Sequence, residues 1–236
     1  MQNNFVGDIG DYGKYGLLRE ICAQPLSLSV NWYRVISKEN PKQNDGKYIG
    51  YLSDPNRYKK YDPSLYEALH KIVVQEHTRE IERIERERLF PAIYFSKVVD
   101  KNRADWHREA LAQTKGTDVV FLDPDNGLET ACMHRKNRAK TLHVKWDELK
   151  DYYARGQSVV LYQQQARITT EKLVENIMEF QENHLHSDDV KILLFPKGTR
   201  RLYFIFLHKK HKAAFEVICN RMEEKWGQDG FCKRIK

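Results

Sequence analysis

Residues 118–123 read DVVFLD, an unbroken apolar run between two aspartates. A strand with one wet face alternates apolar and polar residues, whereas a continuous run bounded by turn formers is what a strand buried on both faces shows. Such a strand belongs in the middle of a sheet with helices covering both sides, which points to an α/β fold. The residues that follow, Asp123-Pro124-Asp125-Asn126-Gly127, then fall at the carboxyl end of a central strand, where open α/β sheets carry their ligands.

The rest of the chain reads as alternating strands and helices. A helix over 17–22 follows a glycine-rich approach, and 26–35 (LSLSVNWYRV) mixes β-branched and aromatic residues as a strand does. Turn chemistry fills 40–47 (NPKQNDGK), and 48–52 predicts a short strand. Ser64 is placed to cap a helix carrying Leu65, Leu69, Ile72 and Val73; a second helix covers 78–89 and stops at Pro91, and a third runs from Ala104 to Lys115-Gly116. Beyond 118–123 come a helix over 146–154 ended by Gly156, a strand over 158–162 (SVVLY) and a helix over 169–183 with Thr170 as its cap. Strands at 190–195 and 202–207, joined by Pro-Lys-Gly-Thr-Arg, precede a last helix over 212–226. The expected architecture is a Rossmann-like α/β fold: a mostly parallel sheet, helices on both faces, and a C-terminal antiparallel hairpin. With no repeat and no linker, 1–236 reads as one α/β domain with a helical insertion around 63–112.

Composition narrows the class of function. Hydrophobic residues at 41% and charged residues at 31% exclude a disordered chain, and no apolar run is long enough for a bilayer. Residues 1–11 lack the basic and apolar regions of a secretory signal. Cys22, Cys132, Cys219 and Cys232 are scattered, with no zinc-ligand spacing, which fits a reducing, cytoplasmic compartment. A formal charge of +7 favours a polyanionic partner such as nucleic acid, although 79–88 (REIERIERER) alternates in sign as a solvated helix does. Oligomeric state is not legible.

Three segments have residue types suited to chemistry. Residues 123–129 (DPDNGLE) present the Asp123 and Asp125 carboxylates and an amide just past a buried strand, with Glu129 beyond them; the plainer reading is a turn whose Asp and Asn bond their own backbone. Residues 7–18 (GDIGDYGKYGLL) interleave glycines with Asp8, Asp11, Tyr12, Lys14 and Tyr15, a pattern for close backbone approach to a ligand or for an arm capping its own helix. Gln163, Gln164, Gln165 and Arg167 follow the strand at 158–162; Gln can read base edges and Arg can hold phosphate, or the group is simply a polar strand end. The histidines show no metal-ligand spacing, and Trp32, Trp106, Trp146 and Trp226 read as core or rim aromatics.

These segments resemble a known family, the class I S-adenosylmethionine-dependent methyltransferases, and within it the adenine-N6 enzymes of the ribosomal-RNA J type. Residues 8–15 (DIGDYGKY) look like that family's Asn-His-Ala-Asp-Val-Leu-Lys-His stretch, and Asp123-Pro124-Asp125-Asn126 stands where such enzymes have Asp-Pro-Pro-Tyr. The order of elements downstream is similar too. The resemblance implies an S-adenosylmethionine cofactor held near Asp8, Asp11, Lys14 and Tyr15. It implies a catalytic segment of Asp123, Pro124, Asp125 and Asn126 that orients an amino group of a nucleic-acid base, with Gln163, Gln164 and Arg167 on the substrate side. The chain departs from the pattern in two places. No acidic residue and glycine-rich turn closes the 26–35 strand unless residues 44–47 (NDGK) supply one, and Asn126 cannot stack on a base as Tyr would. Tyr12, Tyr15 or Tyr162 would have to replace that aromatic face.

Two other functions suit the same residues. Asp123, Asp125 and Glu129, with Asp8 and Asp11 nearby in the reading, are the hard oxygen ligands that Mg²⁺ takes, and Lys14 or Arg167 would then steady a phosphoryl group in a metal-dependent nuclease or phosphohydrolase. A non-catalytic nucleic-acid-binding domain with a basic cleft is the third reading.

Overall fold

The 118–123 run lies mid-sheet, as its composition requires. In the computed structural model, which describes residues 1–36, 47–137, 141–165 and 167–236, the strands are β1 (Leu28–Asn31), β2 (Ile93–Phe95), β3 (Val119–Leu122), β4 (Gly127–Leu128), β5 (His143–Val144), β6 (Ser158–Gln164), β7 (Asp189–Phe195), β8 (Arg201–Leu207) and β9 (Lys233–Arg234). The helices are α1 (Ile9–Cys22), α2 (Pro55–Tyr58), α3 (Pro63–His70), α4 (Ile81–Glu87), α5 (Arg103–Gln113), α6 (Ala131–Arg135), α7 (Trp146–Ala154), α8 (Thr170–Phe180) and α9 (Lys212–Trp226).

Seven strands form one mixed sheet in the order β2-β1-β3-β6-β8-β7-β9, while β4 and β5 pair separately. The N-terminal pairings are parallel and the C-terminal ones antiparallel. Because β7 is antiparallel to β8, and β8 to β6, β7 runs with β1, β2, β3 and β6. Both faces of β3 are covered. Val119 and Phe121 join one core with Leu17, Leu65, Ile84 and Phe215, while Val120 and Leu122 join the other with Trp106, Leu149 and Leu173. Helices α1, α3, α4 and α9 therefore cover one face and α5, α7 and α8 the other. The four tryptophans are all buried.

Helices α7 and α9 match their predicted bounds; other elements differ for identifiable reasons. Helix α1 begins eight residues before the predicted start because Gly10, Gly13 and Gly16 belong to it. A Cβ at these positions would overlap Arg201, Phe195 with Phe231, and Trp226 respectively, so the glycines let α1 lie against β7, β8 and α9. Contact of this kind offsets the roughly 1 kcal/mol per residue that glycine costs a helix. Residues 48–52 hold a 3₁₀ turn at Gly50–Ser53, not a strand. The cap of α3 is Asp62, whose carboxylate accepts from Leu65 N, and that of α8 is Thr169 in place of Thr170. Helix α4 ends at Arg88 in the left-handed conformation, before Pro91 is reached. The segment 63–112 is not purely helical, since β2 lies inside it and pairs with β1 at the sheet edge. Residues 44–46, part of the alternative cofactor turn, lie outside the described residues. No helix among the described residues is long and apolar enough to cross a membrane.

Candidate functional site

The connection from β1 runs outward to the edge strand β2, while that from β3 runs the other way to β6. The crevice beyond the carboxyl ends of β1 and β3 is thus the switch point at which doubly wound sheets bind ligands. A cleft of about 430 Å³ opens there, with Asp8, Asp11, Lys14, Asp123, Tyr162 and Arg201 in its wall.

Its floor is an ionic network. Asp8 caps α1 by accepting from Asp11 N at 2.8 Å. Asp11 accepts from Gly7 N at 3.1 Å and from Tyr15 Oη at 2.9 Å, and its other oxygen lies 2.7 Å from Lys14 Nζ. Lys14 Nζ in turn lies 2.8 Å from Asp123 Oδ2. Burial by itself would lower the Lys14 pKa, but Asp11 and Asp123 outweigh it and hold the amine above its ordinary value. Burial raises the Asp123 pKa, with Lys14 and the N-terminal amine pulling against the rise. Asp8 is also raised, by burial first and then by Asp11, while Arg201 opposes the rise.

The turn after β3 is fixed on three sides. Asp123 N donates to Asn31 O, joining the ends of β1 and β3. Asn126 N donates to Leu142 O, and Gln164 N donates to Asn126 O. Gln163 accepts from Leu128 N at 2.9 Å and donates to Asn126 O at 3.0 Å. Its amide fills the space a side chain at Gly127 would need, and Gly127 has φ +113°. A primary ammonium, that of Met1, is held at the same strand ends by Trp32 O, Tyr33 O and Asp123 O at 3.0–3.1 Å, and by Asp125 Oδ1 at 3.0 Å.

The predicted residues divide accordingly. Asp8, Asp11, Lys14, Asp123, Pro124, Asp125, Asn126 and Gln164 line the cleft. Tyr15 is fully buried behind it, its hydroxyl donating to Asp11 and its ring packed on Trp32 and Phe90, and Tyr12 is a core aromatic bonded to Tyr58 O. Of the three tyrosines considered for stacking, Tyr162 alone lines the cleft; burial first, then Arg201 acting against it, leave its phenol pushed up to about 12. Gln163 holds the turn and lines a second cavity, not the cleft. Arg167 is exposed and lies in neither large cavity.

The proposed metal trio is not assembled. Asp123 faces Lys14, Asp125 faces the Met1 ammonium, and Glu129 accepts from Trp146 N at 2.8 Å and pairs with His134, at the start of α7. Among the described residues no three His, Cys, Asp or Glu side chains are grouped to hold a metal ion.

Arg201 was missed from sequence. Its guanidinium occupies the space beside Gly10 that a side chain would need, donates from Nε to Thr199 O at 2.8 Å, and leaves Nη1 3.9 Å from Asp8 Oδ1. The available signal is a cation opening an otherwise apolar strand, RLYFIFL, next to the end of β6.

No family model matches the chain, and no curated protein does. Among solved structures, the crystal structure of protein LPL1258 from Legionella pneumophila str. Philadelphia 1, described with family model DUF519, matches over 97% of this chain and 96% of its own, with a TM-score of 0.51 and 12% identity. The likeness is one of fold: α/β, with a mixed sheet and helices around it.

Proposed function

We propose that this protein is an S-adenosylmethionine-dependent methyltransferase acting on the amino group of a nucleic-acid base. The observation that carries the reading is the meeting of the two motif segments: Lys14 and Asp123 pair at the switch-point crevice, with the Pro124–Asn126 turn on the same wall. The chemistry of the cleft suits the cofactor. Arg201 offers guanidinium donors for a carboxylate.

A bound sulfonium supplies an activated methyl group, so the chain's task is alignment. In this reading Lys14 fixes the Asp123 carboxylate, Gln163 fixes the turn, and the Pro124 carbonyl and Asn126 face the incoming amine. Tyr162 supplies the aromatic face that Asn126 lacks. The formal charge of +7 suits a polyanionic substrate, and the free thiols of all four cysteines suit a reducing, cytoplasmic compartment.

Isothermal titration with S-adenosylmethionine tests the proposal. Saturable binding that weakens about tenfold or more in Arg201→Met, a charge-assisted contact being removed, is the expected result. Absence of heat at millimolar cofactor removes it.

A further inference from the structure

Beyond the Asp123–Gly127 turn, β4 pairs with β5, and this register brings Glu129 to the start of α7. There Glu129 borders the second cavity, of about 470 Å³, which shares Asn126 and Gln164 with the ionic cleft. Leu128, Ile168, Leu173, Ile177 and Phe180 make much of its wall apolar. Trp146 belongs to the same wall, but its ring is already partly covered. His134 stacks on it with centroids 4.4 Å apart, and His184 lies tilted at 4.6 Å.

Several polar side chains of the lining are committed to the fold. Thr130 caps α6 by accepting from Met133 N, Gln163 holds the turn, and Asn126 Nδ2 lies 3.4 Å from His143 Nε2. Gln164 and Asn176 add neutral amides. Glu129 differs from all of these. Its side chain is 3% exposed, and both of its bonds fall on one oxygen. Oε1 accepts from Trp146 N at 2.8 Å and meets His134 Nδ1 at 3.1 Å, whereas Oε2 receives no donor from the described residues. No Lys or Arg stands in the described lining, and the other charged group there is the exposed Glu179 carboxylate. On a chain of formal charge +7, this one space is acidic.

A buried carboxylate with an open oxygen is costly to leave without a cation. Anionic ligands are repelled from such a space, and a purely apolar one leaves Oε2 unpaired. We infer that this cavity is a binding site for a compact organic cation, an ammonium or amidinium group on an apolar body, with Glu129 as its counter-ion. The charged end donates to Oε2, and the body displaces water from Leu173, Ile177 and Phe180. The site is separate from the cleft and does not depend on the methyl-transfer reading.

Benzylammonium and benzyl alcohol, which share a body and differ in charge, supply the test by calorimetric titration at millimolar concentrations. The parent protein should bind benzylammonium about tenfold more tightly, the difference being one charge-assisted hydrogen bond. Glu129→Gln keeps an acceptor for Trp146 N and removes the charge, so the two probes should then bind alike. Asn176→Trp, at an exposed α8 position on the cavity wall, should weaken both probes about tenfold, and it keeps the test open if Glu129→Gln fails to fold. Absence of saturable binding, equal binding of the two probes by the parent protein, or undiminished affinity in Asn176→Trp overturns the inference. A preference that survives in Glu129→Gln overturns it too. S-adenosylmethionine is added last. Displacement of benzylammonium by it would place the probe in the cleft and likewise overturn the inference, whereas failure of S-adenosylmethionine to bind at all defeats the transferase reading alone.

Discussion

Lys14 Nζ stands 2.8 Å from Asp123 Oδ2 although 109 residues separate them, and each side chain is 3% exposed. Lys14 also neutralises Asp11, so one buried cation serves two buried carboxylates. Lys14→Met should therefore be costly, about 3–5 kcal/mol, because it leaves both carboxylates desolvated without a partner. Asp123→Asn should cost less, since Lys14 keeps Asp11. The pair combined should be less destabilising than the sum of the two, with a coupling of about 0.5–3 kcal/mol in urea unfolding. Strict additivity would mean that the two groups do not interact.

Arg201 rests where a side chain at Gly10 would be. Helix propensity alone makes Gly10→Ala stabilising by up to about 1 kcal/mol. The overlap with a buried guanidinium predicts the opposite sign, because Arg201 must leave its seat between Thr199 O and Asp8. Thermal unfolding decides between them: a lowered Tm is expected, together with weaker binding of S-adenosylmethionine. A raised Tm would show that Arg201 moves at no cost.

Much of the fold was legible because burial on two faces leaves an unmistakable pattern, as in Val119–Leu122, and because α7 and α9 carry strong helical periodicity. Helix α1 was not, since Gly10, Gly13 and Gly16 look like a loop until the side chains that lie on them are known. The 109-residue pairing of Lys14 with Asp123 depends on register between α1 and β3, which no local pattern encodes. The Asp123–Asn126 turn that lines the cleft is legible from its position after β3, whereas Arg201 is not, because a strand-opening arginine has many uses. Glu129 was misassigned to a ligand cluster on sequence proximity alone, when the chain turns away through β4 and delivers it to the start of α7.

The Lys14 network also fixes a pH dependence. Burial opposes the charge on Lys14, but Asp11 and Asp123 prevail, so its folded pKa lies above the ordinary 10.5. A raised pKa means that the folded state binds the proton more tightly than the unfolded state does. The stabilisation is complete below the unfolded value and is lost as pH rises through the folded one. The stability difference between the parent protein and Lys14→Met should thus stay level near neutral pH and shrink above 10.5, as seen in urea midpoints across that range. A difference that grows with alkalinity would contradict this assignment of charge.

The last prediction concerns Gly127, on which the geometry of the whole turn depends. Its φ of +113° is a conformation that a side chain rarely adopts, and the Gln163 amide occupies the space above it. Gly127→Ala therefore meets two obstacles, backbone strain of about 1–3 kcal/mol and displacement of Gln163. Once displaced, Gln163 releases Leu128 N and one of the donors to Asn126 O, so the 123–126 segment keeps the backbone bond from Gln164 N but loses its side-chain tie to β6. The expected outcome is a lower Tm and loss of ligand binding in the cleft. Adding Gln163→Ala to Gly127→Ala removes the steric conflict but not the strain, so Tm should recover only in part and ligand binding should not return. Full recovery of both would mean that crowding alone, and not the conformation of Gly127 or the anchoring amide, sets the turn.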